Sequence, residues 1–316
     1  MQASDANAPQ LVVLGTGGTI AGLSSRPGDN LGYRAAQVDV AHLLAGVPAP
    51  AGTVVVAEQV AQLDSKDMDG DTWGRLARCC ADWLARPRVL GIVVAHGTDT
   101  LEETAYFLQC VLAPVRPVVL TCAMRPADAP MPDGPQNLRD ALAVAATAGA
   151  RGVTAVCAGV VHAAADVRKL HGYRLDAFGS GDAGPLGYVE EGRLRRLRDW
   201  PVAQGACDVA RLPAEGAPWP RVEIVTSYAG ASGAIVDALV RDGVQGLVVA
   251  ATGNGTVHRA LNDALERARS AGVRVLRASR CDQGRVMGPQ EGALPGADAL
   301  SPVKARIRLV LELLGG

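Results

Sequence analysis

Lysine and aromatic residues are scarce in this chain of 316 residues. Of its 31 basic residues only Lys66, Lys169 and Lys304 are lysines, which leaves 28 arginines, and aromatic side chains make up 3% of the total. A core so poor in rings must be built from Val, Leu, Ile and Ala, and each of the five Tyr stands out. Arg cannot replace Lys where a reaction needs an amine that gives up its proton, so the three lysines mark places where such chemistry is available. Charge of one sign is missing too. With 31 basic against 32 acidic groups and 48% apolar residues, neither a disordered chain nor a strongly basic nucleic-acid binder is indicated. No run reaches the roughly 18 apolar residues of a membrane span. The first ten residues have neither a basic start nor an apolar stretch, so no membrane partner and no secretory leader are expected. The seven cysteines are an odd number without the paired spacing of a zinc site, which fits a reducing cytoplasm and no metal.

What is present is length and alternation. A chain of this size suggests two domains at roughly 150 residues each. Short apolar runs alternate with longer amphipathic stretches, the pattern of strand and crossover helix in an α/β protein with a mainly parallel sheet. Leu11–Leu14, Val89–Val94, Val118–Thr121 and Val153–Cys157 read as buried strands. Helices are predicted over Thr72–Leu84 with Asp71 as N-cap, over Leu101–Cys110 and over Asn137–Thr147. A second series follows, with strands over Val222–Val225, Gly246–Ala250 and Val273–Leu276 and helices over Ala234–Arg241, Val257–Ala271 and Val303–Leu314. Between the two series, Arg193-Leu-Arg-Arg-Leu-Arg198 and four prolines read as a linker over residues 189–220. The expected division is therefore an N-terminal catalytic domain over 1–188 and a smaller α/β C-terminal domain over 221–316.

Two segments carry hydroxyl groups to strand ends. Gly15-Thr-Gly-Gly-Thr-Ile-Ala-Gly22 follows the first strand directly, where a parallel α/β sheet opens its ligand crevice. A dinucleotide fingerprint would need Gly at position 20, which is Ile20, and no phosphate-loop Lys is present. What remains is a glycine turn that lets backbone approach a ligand closely, with Thr16 and Thr19 at its rim. His96-Gly-Thr-Asp-Thr-Leu-Glu-Glu-Thr-Ala105 follows another buried strand and opens a helix. Capping explains part of it: one of Thr98, Asp99 and Thr100 suffices as N-cap, and Glu102 and Glu103 suit the helix dipole. It does not explain why two hydroxyl-bearing turns sit at the carboxyl ends of two strands. His96 itself reads as structural. The acids Asp67, Asp69 and Asp71 imitate a calcium loop, but its glycine position is Thr72 and its closing acid is Arg78. Gly253-Asn-Gly-Thr256 reads as a tight turn between strand and helix.

These two segments resemble the signatures of the bacterial-type L-asparaginase (asparaginase/glutaminase) family. Asp64-Ser-Lys-Asp-Met68, Ala123-Met-Arg-Pro126, Asp133-Gly-Pro-Gln-Asn-Leu138, Asp166-Val-Arg-Lys169 and Gly184-Pro-Leu-Gly-Tyr188 agree in the same order. The resemblance covers nearly the whole chain. It implies a hydrolase that converts L-asparagine and water to L-aspartate and ammonia, with Thr19 as nucleophile and an acyl-enzyme that water cleaves. Tyr33, on a mobile loop over residues 22–34, would take the Thr19 proton; a hydroxyl is a poor nucleophile until a neighbour does so. Thr98, Asp99 and Lys169 form the implied second group, Lys169 acting as base with Asp99 balancing its charge. Which of the two threonines attacks first stays open in the sequence, with Thr19 ahead by analogy. Gly18, Ser65, Lys66, Thr98, Asp99 and Ala123 would line the substrate, with backbone N–H groups near Thr98 and Ala123 as oxyanion donors.

The resemblance further implies no cofactor, no metal, a role in asparagine catabolism and a homotetramer built as a dimer of dimers. The C-terminal domain of one subunit would complete the site of another, and Glu291, in the stretch 281–297, is a candidate for that task. Lys66 departs from the family, many of whose members carry Gln or Glu facing the substrate ammonium. A cation there predicts weaker recognition of the α-amino group. The alternatives are accordingly a glutaminase-asparaginase or an ω-amidase with relaxed recognition of that group. An amidotransferase subunit acting on misacylated tRNA is a further reading, but it calls for a basic face that this balanced chain lacks.

Overall fold

The computed structural model describes residues 8–26, 28–202, 205, 207–288 and 294–315, so Glu291 lies outside the described residues. Two compact units divide at residues 205 and 206. The first holds an eight-stranded sheet in the order β12-β11-β8-β7-β6-β5-β1-β4. Its strands are β1 (Gln10–Gly17), β4 (Val54–Leu63), β5 (Val89–Ala95), β6 (Pro117–Thr121), β7 (Gly152–Cys157), β8 (Val160–Ala163), β11 (Gly187–Glu190) and β12 (Arg193–Arg196). From β4 through β1, β5 and β6 to β7 every pairing is parallel, and from β7 to β12 every pairing is antiparallel. Two short ribbons, β2 (Leu23–Ser24) with β3 (Tyr33–Arg34) and β9 (Arg168–Lys169) with β10 (Phe178–Gly179), stand apart from the sheet.

The four strands expected from apolar runs all form, and they are the central ones. Leu11, Val12, Val13, Leu14, Ile92, Val93, Val94, Val118, Val119 and Leu120 are fully buried, as a parallel sheet covered on both faces requires. Helices α1 (Val40–Leu43), α2 (Gly70–Leu84), α3 (Leu101–Leu112) and α4 (Gly134–Ala145) supply that cover. Three sequence expectations shift. The cap of α2 is Asp69, which accepts the Thr72 N–H, so the helix starts at Gly70 instead of after Asp71. Helix α4 begins three residues early because Pro135 fits the first turn, where no intrahelical donor is needed. The stretch 189–220 is no simple linker: Val189 and Glu190 complete β11, and β12 follows at once in a hairpin through Glu191 and Gly192. Its arginines escaped a strand assignment because an edge strand tolerates charge on both faces.

The second unit is a three-stranded parallel sheet, β13 (Val222–Thr226), β14 (Gly246–Ala251) and β15 (Arg274–Ser279), with helices α5 (Ala234–Arg241), α6 (Arg259–Ser270) and α7 (Pro302–Gly315). Val236, Leu247, Val249, Leu261 and Leu265 pack one face, and Val222, Val248, Ala305 and Leu309 the other. Gly253-Asn-Gly-Thr256 is a closed turn at the end of β14, bridged by Thr252 and Thr256. Both units are mixed α/β, as the alternation predicts. Among the described residues no helix is long and apolar enough to cross a membrane.

Candidate active site

Strand β1 has β4 on one side and β5 on the other, so the chain leaves its carboxyl end in one direction and returns on the opposite flank. Such a reversal leaves a crevice outside the strand ends, where α/β proteins place their ligands. The resembling motifs lie around it. Thr19 follows β1, Ser65 and Lys66 follow β4, Thr98 and Asp99 follow β5, and Ala123 follows β6. Four neighbouring strands thus deliver their C-terminal turns to one edge of the sheet.

The turns after β1 and β5 touch through glycine. Gly18 has φ 80° and ψ −171°, a backbone region essentially reserved for glycine. A Cβ built on it would stand 2.2 Å from the Gly97 Cα, and one built on Gly97 would stand 2.4 Å from the Ser65 Oγ. Backbone of the first turn therefore lies on backbone of the second, and the second lies on Ser65. Thr19 and Thr98 each follow one of the touching glycines and are both buried.

Each threonine hydroxyl is hydrogen-bonded to a side chain brought in from outside its own turn. The Thr19 Oγ1 lies 2.8 Å from the Tyr33 hydroxyl. Tyr33 arrives on β3, whose partner strand β2 is fastened to the body by Asp128; that carboxylate accepts the backbone N–H of Ser24 at 2.9 Å and its hydroxyl at 2.8 Å. The Ser24 N–H holds the Asp128 carboxyl below its ordinary pKa. The Lys169 Nζ donates to Thr98 Oγ1 at 2.7 Å and to Asp99 Oδ1 at 2.6 Å. Lys169 reaches this position from β9, with its own N–H on Glu102 Oε1. Its side chain is 18% exposed against 52% for Asp99, so the amine is the more sheltered end of the pair.

The side chains of Thr98, Asp99 and Thr100 do not cap α3. Thr100 donates to the Ser65 carbonyl at 2.7 Å and the Asp99 N–H points to Ser65 Oγ at 3.2 Å. Capping thus fails as the account of this segment, and its polar groups face Ser65 and Lys169 instead. His96 is fully buried, with Nδ1 2.7 Å from the Gly97 carbonyl and Nε2 3.0 Å from Thr104 Oγ1, which also receives the Trp73 indole N–H. Burial pulls its pKa down to about 4, so it is a neutral support for the turn, as the sequence suggests.

Three features escaped sequence reasoning. Asp133 accepts the N–H groups of Met124 and Arg125 at 2.9 and 3.0 Å, and Asn137 donates to the Cys122 carbonyl at 2.9 Å, which fixes the turn bearing Ala123. Both residues lie in a motif noted in the sequence, yet nothing local tells which backbone they hold. Lys66 lies between two carboxylates, with Nζ 3.1 Å from Asp64 and 2.8 Å from Asp67. Acids two residues before and one after a lone lysine were the available signal. The third is the pinning of the loop by Asp128, over a hundred residues away from Ser24. All described cysteines are free, and no group of three His, Cys, Asp or Glu side chains among the described residues is placed to hold a metal.

At the strand ends of this α/β fold, one buried threonine is hydrogen-bonded to a tyrosine hydroxyl and the other to a lysine amine. Residues 10–201 match the family model "Asparaginase, N-terminal" and residues 221–315 the model "Glutaminase/Asparaginase C-terminal domain", and the chain belongs to the asparaginase family. It is 35% identical to a probable periplasmic L-asparaginase of Haemophilus influenzae, covering 98% of this chain and 90% of that one. It is 37% identical to a glutaminase-asparaginase of Pseudomonas fluorescens over 96% and 86% of the two chains. A crystal structure of a probable cytoplasmic L-asparaginase from Campylobacter jejuni superposes with a TM-score of 0.91 at 36% identity, covering 98% of this chain and 96% of the other.

Proposed function

We propose that the protein is an amidohydrolase that converts L-asparagine and water to L-aspartate and ammonia through a covalent intermediate on Thr19. The observation that carries this reading is the pair of buried threonines on touching backbones, with the Tyr33 hydroxyl 2.8 Å from one and the Lys169 amine 2.7 Å from the other. Thr19 Oγ1 attacks the side-chain amide carbon as its proton passes toward Tyr33. The amide nitrogen leaves as ammonia once protonated, and water then cleaves the resulting ester with a proton passing the opposite way. Backbone N–H groups at Thr98 and Ala123 are the donors for the negative oxygen that develops in each step, a role in which fixed geometry counts for more than side-chain identity. The bonds from Asp133 and Asn137 supply that fixity at the Ala123 turn.

Ser65 and Asp99 bind the α-carboxylate and α-ammonium of the substrate, and Gly18 lets the first turn come close enough to bring Thr19 to its amide. The mechanism uses no metal and no cofactor. Relatives named glutaminase-asparaginase favour L-glutamine as a second substrate. The working assembly is a homotetramer of paired dimers. Its place is the cytoplasm, which suits seven free cysteines, one of them the exposed Cys281. Ammonia release from L-asparagine, L-glutamine and D-asparagine tests the proposal. Turnover of L-asparagine is expected to exceed that of both others, and failure to release ammonia from any of the three would refute it.

A further inference from the structure

Lys66 stands beside the substrate-binding residue Ser65, where a free cation would repel an α-ammonium. Its amine, however, is not free of counter-charge. Nζ is held 2.8 Å from Asp67 Oδ2 and 3.1 Å from Asp64 Oδ2. One cation against two carboxylates leaves this cluster with a net negative charge. Asp64 also receives the Lys66 backbone N–H at 3.4 Å as cap of the single helical turn Ser65–Asp67, so the same carboxylate fixes both ends of the lysine. The Asp67 and Asp64 hydrogen bonds keep the Lys66 amine protonated beyond its ordinary range. The turn is one residue removed from groups the proposed site uses: Ser65 Oγ receives the Asp99 N–H, and the Ser65 carbonyl receives Thr100 Oγ1.

We infer that Asp64 and Asp67 are specificity-determining positioning residues, which clamp Lys66 and turn a repulsive lysine into a net acidic edge that still attracts the α-ammonium of the substrate. The inference rests on the amidohydrolase reading and goes beyond it. It also reverses what the sequence suggests, because a lysine at this position no longer implies relaxed recognition of the amine. The side chains are well exposed, 60% for Lys66 and 67% for Asp67, so the effect is a modest, salt-screened one.

The test compares KM for L-asparagine with KM for its analogue lacking the α-amine, in the full-length wild type and in Asp64→Asn/Asp67→Asn, Lys66→Gln and the triple variant. The substitutions are surface and nearly isosteric, and Asn keeps the cap. Neutralising both carboxylates is expected to raise KM for L-asparagine about three- to tenfold, less so at high salt. KM for the analogue should stay level or fall. Adding Lys66→Gln should restore discrimination. Equal changes for both substrates, or no rescue by Lys66→Gln, would overturn the clamp. A wild type that releases no ammonia from L-asparagine would instead overturn the underlying reading, and the clamp with it.

Discussion

Replacing Gly18 by Ala puts the convergence of the two threonine turns to the test. Two costs add at this residue. Its φ of 80° and ψ of −171° lie where a side chain costs of order 1–3 kcal/mol. The new Cβ would also meet the Gly97 Cα at 2.2 Å and the Gly97 nitrogen at 2.4 Å. These are backbone atoms, so no flexible side chain can swing aside, and the overpacking costs a further ~1–3 kcal/mol. The expected loss of stability is therefore about 2–6 kcal/mol. Relief of the clash must part the two turns by about an ångström, which is enough to cost on the order of a hundredfold in kcat. Gly46→Ala is the control, since Gly46 has φ 82° with nothing within 4 Å of its Cβ position; it bears strain alone, about 1–2 kcal/mol. Urea unfolding and ammonia release on both variants decide the matter. If Gly18→Ala unfolds no more readily than Gly46→Ala and keeps wild-type turnover, the turns are not locked together and the site geometry argued from them is wrong.

Three other outcomes follow from particular contacts. Lys169→Arg keeps the ion pair with Asp99 but removes an amine able to release its proton, so kcat should fall about 10²–10⁴-fold; turnover within threefold of wild type would exclude Lys169 as a proton carrier. His96 is held neutral by burial, with a pKa near 4 against 6.5 in the unfolded chain. The folded state thus binds protons less readily, and its contribution of about 3 kcal/mol is present above pH 6.5 and lost as pH falls through 4; urea midpoints between pH 7 and 4 should drop more steeply in the wild type than in His96→Gln. Asp133→Ala strips the acceptor from two N–H groups and should lower stability by about 2–4 kcal/mol together with kcat, whereas Asp133→Asn should recover part of both.

The centre of the fold was legible because parallel strands buried on both faces leave continuous apolar runs, and Leu11–Leu14 and Val89–Val94 are such runs. The outer strands were not. β4 has no fully buried residue, only half-buried and exposed ones, and β12 is an arginine-rich edge, so neither shows that signal. The named site residues were readable as motifs, and the carboxyl ends of β1, β4, β5 and β6 bring them to one edge. Their partners Tyr33 and Lys169 were legible only through the family resemblance. Tyr33 lies 14 residues from Thr19 and Lys169 lies 71 from Thr98, and no local pattern joins residues at such separations. Lys66 shows the opposite limit. Its neighbours in sequence, Asp64 and Asp67, held the answer, but a charge takes its meaning from what stands within 3 Å of it, and spacing alone did not say that both carboxylates turn toward the amine.

The role of Thr19 as nucleophile is tested most directly by trapping the covalent intermediate. Wild-type enzyme mixed with L-asparagine and quenched in acid within the first turnovers should carry an aspartyl ester on the peptide that contains Thr19, and Thr19→Ala should carry none and lose turnover about 10³-fold or more. An ester on the peptide of Thr98, or full ammonia release by Thr19→Ala, would contradict the account.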